Sequence, residues 1–407
     1  MTDSEPRRSP LDAAHAAAGA IFTTFAGWRM PLKYGSELAE HAAVRTAAGL
    51  FDLSHMGEIL VLGPGAAEAL DAALPSDVPA IAVGQAKYTL LLDDDGGVLD
   101  DLVLYRTGDD RFLVVANAAN RALVAAVLHE RVAASALASV SVQDESDDFG
   151  LLALQGPIAL DVLTEAPGFA ADEGGRDGGH FADALRALKN YRFFAAWFEG
   201  HPVLVARTGY TGELGVELFA SPGLLPALWD VLLTTGAGSG VTPVGLAARD
   251  TLRLEAGMPL HGNELTDQIR PAQAGLGRLL PPDKHIDYPG RAAALHPDPQ
   301  ARVLVGLLGE GRRAGRSGYP VLAGEALGEV SGESSGGDQG GNPGTGPAGE
   351  PVGVVTSGAL SPTLGRPIAM AYVDPSLAAV GTPLAIDVRG TPMPVQVAPL
   401  PFYRRKA

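Results

Sequence analysis

Residues 87–117, KYTLLLDDDGGVLDDLVLYRTGDDRFLVVAN, hold three apolar runs of strand length parted by two short Asp/Gly turns. Turns this short join strands that run in opposite directions, because a parallel return needs a crossover of about a dozen residues or more. The stretch is an antiparallel meander, so the chain builds at least one antiparallel sheet. Its middle run carries Asp100 and Asp101 where a strand should be entering a core. Adjacent strand residues point to opposite faces, so at most one of the two enters any one site. That excludes a shared-proton pair on one face. It leaves a single working carboxylate, or a solvated strand entry beside the turn.

Around the meander, helices and strands mix. The first fifty residues read as helical, with an Ala-rich stretch from 11 to 20 and SELAEHAAVRTAAG, where Ser36 caps and Gly49 terminates. Strand signals begin at GEILVLG; helices follow at about 65–73 and 119–131, and FGLLALQGP reads as a buried strand. The Gly/Asp-rich segment 170–180 reads as a loop. HPVLVARTGYTGELGVELFA reads as two strands, followed by helices at about 222–235 and 243–256. In the second of these strands Leu214, Val216 and Leu218 point one way and Glu213, Gly215 and Glu217 the other. Glu217 therefore faces away from the core or lines a cavity. After Pro281 short strands alternate with Pro/Gly turns, indicating a C-terminal β-domain. Inside it, SGESSGGDQGGNPGTGPAGE at 331–350 has too little apolar surface to fold and reads as a disordered surface insertion.

Charge and residue usage exclude several function classes. With 407 residues and 46% hydrophobic content the chain can bury more than one core and reads as a soluble globular protein. The net charge of −17 repels phosphate backbones and anionic lipid headgroups, so neither nucleic acid nor membrane is expected as a partner. The chain has no cysteine, hence no disulfide, no thiolate nucleophile and no Cys-ligated metal. That is compatible with a reducing cytoplasm. Neither a targeting peptide nor an apolar run of membrane-spanning length is read, and a cytoplasmic location is expected.

Standard motifs fail. GAGSG at 236–240 follows a helix, so it is a helix stop and not a dinucleotide fingerprint. There is no Walker A lysine motif and no G-x-S-x-G elbow, and the nine histidines show no metal-ligand spacing, so no metal is expected. His55 and His261 read as structural. What remains is a set of polar residues on apolar elements: Asp100, Asp101, Glu217, Arg249 and Arg253. The two arginines lie at i and i+4 on one helix face, where they either serve a site or pair with Asp250 or Glu255.

FAGWRMPLKYGS, EHAAVRTAAGLFDLSHMGEI, GGVLDDLVLY, LLALQGP, RTGYTGELGVEL, PVGLAARDTLRLEAGMPLHGNEL and GVVTSGALSPTLGRPIAMAYV together closely resemble the T-protein, or aminomethyltransferase, family of the glycine cleavage system. The blocks stand in the family's order from about residue 11 to the C-terminus. The resemblance implies an α+β fold of three domains in a ring around a central folate cavity, the C-terminal domain all-β. The first α+β domain would comprise 1–50 plus 140–275, the second, with the meander, 51–139, and the C-terminal β-domain 276–407. It also implies a reaction in which the aminomethyl group on the lipoyl arm of H-protein passes its one-carbon unit to tetrahydrofolate. Ammonia is released and 5,10-methylenetetrahydrofolate forms. Lipoylated H-protein is the implied partner, with the P- and L-proteins in the same cycle, and tetrahydrofolate the co-substrate.

Carried over residue by residue, the family's catalytic aspartate falls on Asp101, with Asp100 left structural. Glu217 matches the glutamate that grips the pterin, and Arg249 matches the arginine of the folate site. Met56, Tyr88 and Asn117 lie on blocks that border the folate, and Tyr403 lies near a C-terminal residue that touches it in some relatives. The insertion at 331–350 and the short tail PFYRRKA depart from the pattern. Two alternatives share the fold: folate-dependent demethylases acting on another methyl donor, and non-catalytic folate-binding proteins. The latter rely on a cysteine motif that this chain lacks.

Overall fold

The computed structural model describes residues 5–135, 137–171, 178–324 and 350–405. Most of the 331–350 insertion lies outside them. A seven-stranded sheet runs in the order Phe169–Ala170, Phe193–Phe198, His201–Ala206, Gly215–Ala220, Gly150–Gln155, Gly49–Asp52, Thr242–Pro243. Its pairs are antiparallel except the last, which is parallel. One face is covered by the helices Ala159–Glu165, Gly178–Ala187 and Leu225–Gly236. There Leu152, Leu154, Val203, Val205, Val216 and Leu218 pack on helix residues including Leu163, Leu228 and Trp229. Each fully buried leucine contributes roughly 2 kcal/mol.

The meander forms the core of a five-stranded antiparallel sheet, ordered Gln85–Leu92, Val98–Gly108, Arg111–Ala116, Gly57–Leu62, Ser141–Asp144. Its outer face packs on the helices Ala66–Ala73 and Arg121–Ala134 through Leu102, Leu104, Val114 and Ile59. Its inner face carries Val103, Tyr105, Leu113 and Val115, which meet Phe51, Ala153 and Phe219 of the seven-stranded sheet. The two sheets thus pack face to face, and the period of two along each strand decides which side chains enter the space between them. All strands of this sheet fall between Gly57 and Asp144.

The C-terminal strands Val303–Gly309, Pro367–Val373, Gly353–Leu360, Pro320–Ala323, Pro383–Asp387 and Pro392–Ala398 close into an antiparallel barrel in that order. The mixed α and β body with an all-β C-terminal domain is the class expected from the sequence.

The N-terminal fifty residues differ from their helical reading. Helices Asp12–Ala17 and Glu37–Thr46 are present, and Ser36 caps the second by accepting from the Ala39 N–H. Between them, however, Ile21–Phe25 and Trp28–Lys33 form a hairpin, turned by Ala26 and Gly27 with φ of 49° and 78°. Two left-handed residues in a two-residue loop match the twist of the flanking strands. Gly49 does not end the second helix. It opens the strand Gly49–Asp52, where a Cβ would lie 2.5 Å from both Val44 and Val244. The 170–180 segment is also not all loop, since a strand ends at Ala170 and a helix starts at Gly178.

Candidate functional site

Strand alternation sorts the two aspartates. Asp100 shares its face with Leu102 and Leu104, which pack on the helices, whereas Asp101 shares the inter-sheet face with Val103 and Tyr105. Asp100 is fully buried, while Asp101 is only partly so. On the opposing strand, Val216 and Leu218 enter the helical core, so Glu217 points with Phe219 toward the meander. Tyr105 bridges the sheets, its hydroxyl 3.4 Å from Glu217 Oε2.

Asp101 is held at both oxygens. Tyr88 donates to Oδ2 at 2.9 Å and the Asn117 carboxamide to Oδ1 at 2.8 Å. Burial pushes the Asp101 carboxyl up, and the bonds from Tyr88 and Asn117 pull it partway back. Glu217 is raised by burial as well, opposed by Thr208, the charge of Arg249, and Tyr105. Its Oε2 accepts from the Thr208 and Tyr105 hydroxyls. Among the described residues its Oε1 takes no hydrogen bond.

Arg249 projects from the helix Leu246–Glu255 and stacks on Tyr210, its guanidinium carbon 4.6 Å from the ring centroid. The Tyr210 hydroxyl is fixed to the Pro259 carbonyl at 2.5 Å. Among the described residues the Arg249 guanidinium has neither an ion pair nor a hydrogen bond, and burial lowers its proton affinity. Arg253 behaves oppositely. It is paired at 2.8 Å to both Asp250 and Glu264 and donates to Ser357, so the ion-pair reading holds for Arg253 and fails for Arg249. Tyr210 senses the charges of Arg253, Arg249 and Asp101 together, which places the two halves of the cluster in one electrostatic neighbourhood.

The structure therefore brings together Asp101, Tyr88 and Asn117, and across from them Glu217 and Arg249. Met56 packs at the edge of the inter-sheet core. Tyr403 sits elsewhere: its ring lies 4.0 Å under Arg45 and its N–H donates to the Glu255 carbonyl. Three residues were not singled out from sequence. Tyr105 was legible, standing two alternations after Asp101 on the same face. Thr208 and Tyr210 lie in the loop between two strands, where no periodicity points to them. His55, read as structural, is buried with Nδ1 unpaired, and burial together with the charge of Arg249 pushes it down to about 4. An open depression of about 790 Å³ lined by Asp94, Tyr288, Arg291 and His296 contains none of these groups, so size alone does not locate the chemistry. Among the described residues no cluster of His, Asp and Glu is placed to hold a metal, and no helix is long and apolar enough to cross a membrane.

Known proteins resemble this chain over almost its whole length. The family model of the GCVT N-terminal domain covers residues 11–284, and that of the glycine cleavage T-protein C-terminal barrel domain covers 302–404. An aminomethyltransferase of Saccharopolyspora erythraea is 52% identical over 407 residues, spanning 99% of this chain and 100% of its own. One from Cutibacterium acnes is 49% identical, spanning 98% and 99%. Among solved structures, glycine cleavage system aminomethyltransferase T from Bartonella henselae is similar with a TM-score of 0.81 and 36% identity, over 98% of this chain and 99% of that one.

Proposed function

The chain belongs to the glycine cleavage T-protein family, and from that premise we propose how its two facing sheets carry out aminomethyl transfer. It is an aminomethyltransferase of glycine cleavage. The aminomethyl group arrives on the lipoyl arm of H-protein, and tetrahydrofolate takes its one-carbon unit as ammonia leaves, giving 5,10-methylenetetrahydrofolate. The P- and L-proteins act in the same cycle, which runs in the cytoplasm.

The polar groups left unsatisfied between the sheets fit such a co-substrate. Glu217 Oε1 and the Arg249 guanidinium are half-buried groups with unspent hydrogen-bonding capacity. Glu217, with Oε2 fixed by Thr208 and Tyr105, presents its other oxygen to the N–H donors of an aminopyrimidinone ring. Each charge-assisted bond of this kind contributes roughly 1.5–3 kcal/mol. Arg249, preorganised on Tyr210, stacks on a flat ring or binds an anionic group. Met56 borders the same binding region.

Asp101 is the catalytic group. With Tyr88 and Asn117 fixing both oxygens, its negative charge stands ready where positive charge develops as ammonia departs, without reorganising during the step. The observation that carries this assignment is that Asp101 and Glu217 project from facing strands into one space that also holds the unpaired Arg249.

The test is turnover with aminomethylated H-protein and tetrahydrofolate, following ammonia and methylenetetrahydrofolate together. Asp101→Asn is expected to retain tetrahydrofolate affinity within a few-fold while turnover falls roughly 10²-fold. Wild-type turnover in that variant removes Asp101 from the mechanism. Binding without either product in the wild-type protein moves a folate-dependent demethylase to the front.

A further inference from the structure

Asp100 is left without a task by this mechanism, yet it is a fully buried carboxylate with no Lys or Arg hydrogen-bonded to it among the described residues. An anion buried without a countercharge is costly, and such groups concentrate at functional sites. Although Asp100 faces the helices, its carboxylate reaches round the strand to the same amide that serves Asp101. Asn117 Nδ2 is 2.8 Å from Asp100 Oδ1 and 2.8 Å from Asp101 Oδ1, and the Asn117 backbone N–H donates to Asp100 Oδ2 at 3.0 Å. A second amide stands behind it: Asn120 Nδ2 donates to Asp100 Oδ1 at 2.7 Å and lies 3.0 Å from His261 Nδ1. His261 Nε2 is 3.1 Å from the Val98 carbonyl oxygen. That oxygen only accepts, so Nε2 carries the ring hydrogen and Nδ1 accepts from Asn120. Side chain by side chain, a continuous chain of bonds runs from His261 to Asp101.

We propose that Asp100 is a positioning residue that clamps the Asn117 carboxamide so that its NH₂ group donates to Asp101, with Asn120 and His261 holding Asp100 in turn. The inference rests on the reading that Asp101 acts on the reacting group. A carboxamide has two nearly isosteric ends, and only the NH₂ end is compatible with a carboxylate. With Asp101 alone beside it, the Asn117 side chain could rotate away and leave Asp101 without this donor. With acceptors on both sides, one orientation satisfies every atom. The other titratable groups facing the pair are Tyr88 and Tyr210 beside Asp101, and His261 behind Asp100.

The experiment compares Asp100→Asn, Asp101→Asn, the double variant and His261→Ala in steady-state assays from acid to alkaline pH. Asp100→Asn is expected to lower kcat about tenfold or more with KM for tetrahydrofolate within about twofold. In the double variant the Asp100 change is expected to add nothing to the loss from Asp101→Asn, because it acts through that residue. His261→Ala is expected to lower kcat a few-fold in the same sense, and it carries the test if Asp100→Asn does not fold. Wild-type kcat in Asp100→Asn, a multiplicative loss in the double variant, or an unaltered His261→Ala when Asp100→Asn does not fold, overturns the proposal. Full activity of Asp101→Asn overturns the underlying reading instead, so the two failures are distinguishable.

Discussion

Glu255 accepts two hydrogen bonds from Arg45, at 3.1 Å from Nε and 2.8 Å from Nη2. The same carboxylate accepts from His41, from Ser361 at 2.5 Å, and from both the N–H and hydroxyl of Thr363. It thereby ties the helices Glu37–Thr46 and Leu246–Glu255 to a loop of the barrel, while its carbonyl holds the C-terminal tail through Tyr403. Removing it leaves the buried Arg45 with Glu213 as its remaining carboxylate partner among the described residues, and breaking a buried pair on one side costs about 3–5 kcal/mol. Glu255→Ala is expected to lower the unfolding free energy from urea titration by that amount, and an unchanged value would show that the junction adds nothing to stability.

Acid should destabilise the fold in two stages. His55 is held down to about 4 by burial and the charge of Arg249, against an ordinary value of 6.5. Between these values the unfolded chain binds more protons, so stability falls as pH drops from 6.5 through 4. Glu255 follows: burial opposes its ionisation, yet its bonds to His41, Ser361 and Thr363 bring it from 4.5 to about 2. Its contribution is present above 4.5 and lost as pH falls toward 2. His55→Gln is expected to flatten the upper stage only, read from urea midpoints at pH 7, 5.5 and 4.5. Identical slopes in both proteins would exclude His55 as the source.

Affinity should separate the two arginines of one helix. Glu217→Gln is expected to weaken tetrahydrofolate about tenfold to a hundredfold, because the neutral amide forfeits charge-assisted acceptance. Arg249→Lys is expected to weaken it too, since an ammonium does not reproduce the planar stack on Tyr210. Arg253→Lys should act on stability, its guanidinium being spent on Asp250, Glu264 and Ser357. Calorimetric titration with unaltered affinity in Glu217→Gln would contradict the placement of the ring.

Much of this was legible in the residues, for reasons that also mark where legibility ends. The meander and the opposite orientations of Asp100 and Asp101 follow from turn length and a period of two, which are local properties. The hairpin at Ile21–Phe25 was missed because the Ala-rich flanks on either side dominate a helical reading, though Ala26-Gly27 between apolar runs was a turn signal. The contact of Asp100 with Asn117 was not legible, since it depends on which residue follows the neighbouring strand at its end. Likewise the packing of Glu217 opposite Tyr105 depends on how two sheets face each other, and nothing in either strand alone encodes that.

Asp100 should show the reverse pH dependence of His55. Burial and the neighbouring charge of Asp101 push its carboxyl from 3.8 up to about 6. The folded state then binds the proton more tightly than the unfolded chain, so its contribution is complete below 3.8 and lost as pH rises through 6. Ionised at neutral pH, Asp100 costs on the order of 3 kcal/mol by the same relation. Asn carries no charge to bury, so Asp100→Asn should gain stability relative to wild type between pH 4.5 and pH 8, even if lost acceptance from Asn117 and Asn120 lowers both values. Urea midpoints at the two pH values test this, and a constant difference would mean that Asp100 does not titrate in that range. A variant that gains stability at pH 8 while losing turnover would show that the buried charge is retained for its effect on Asp101.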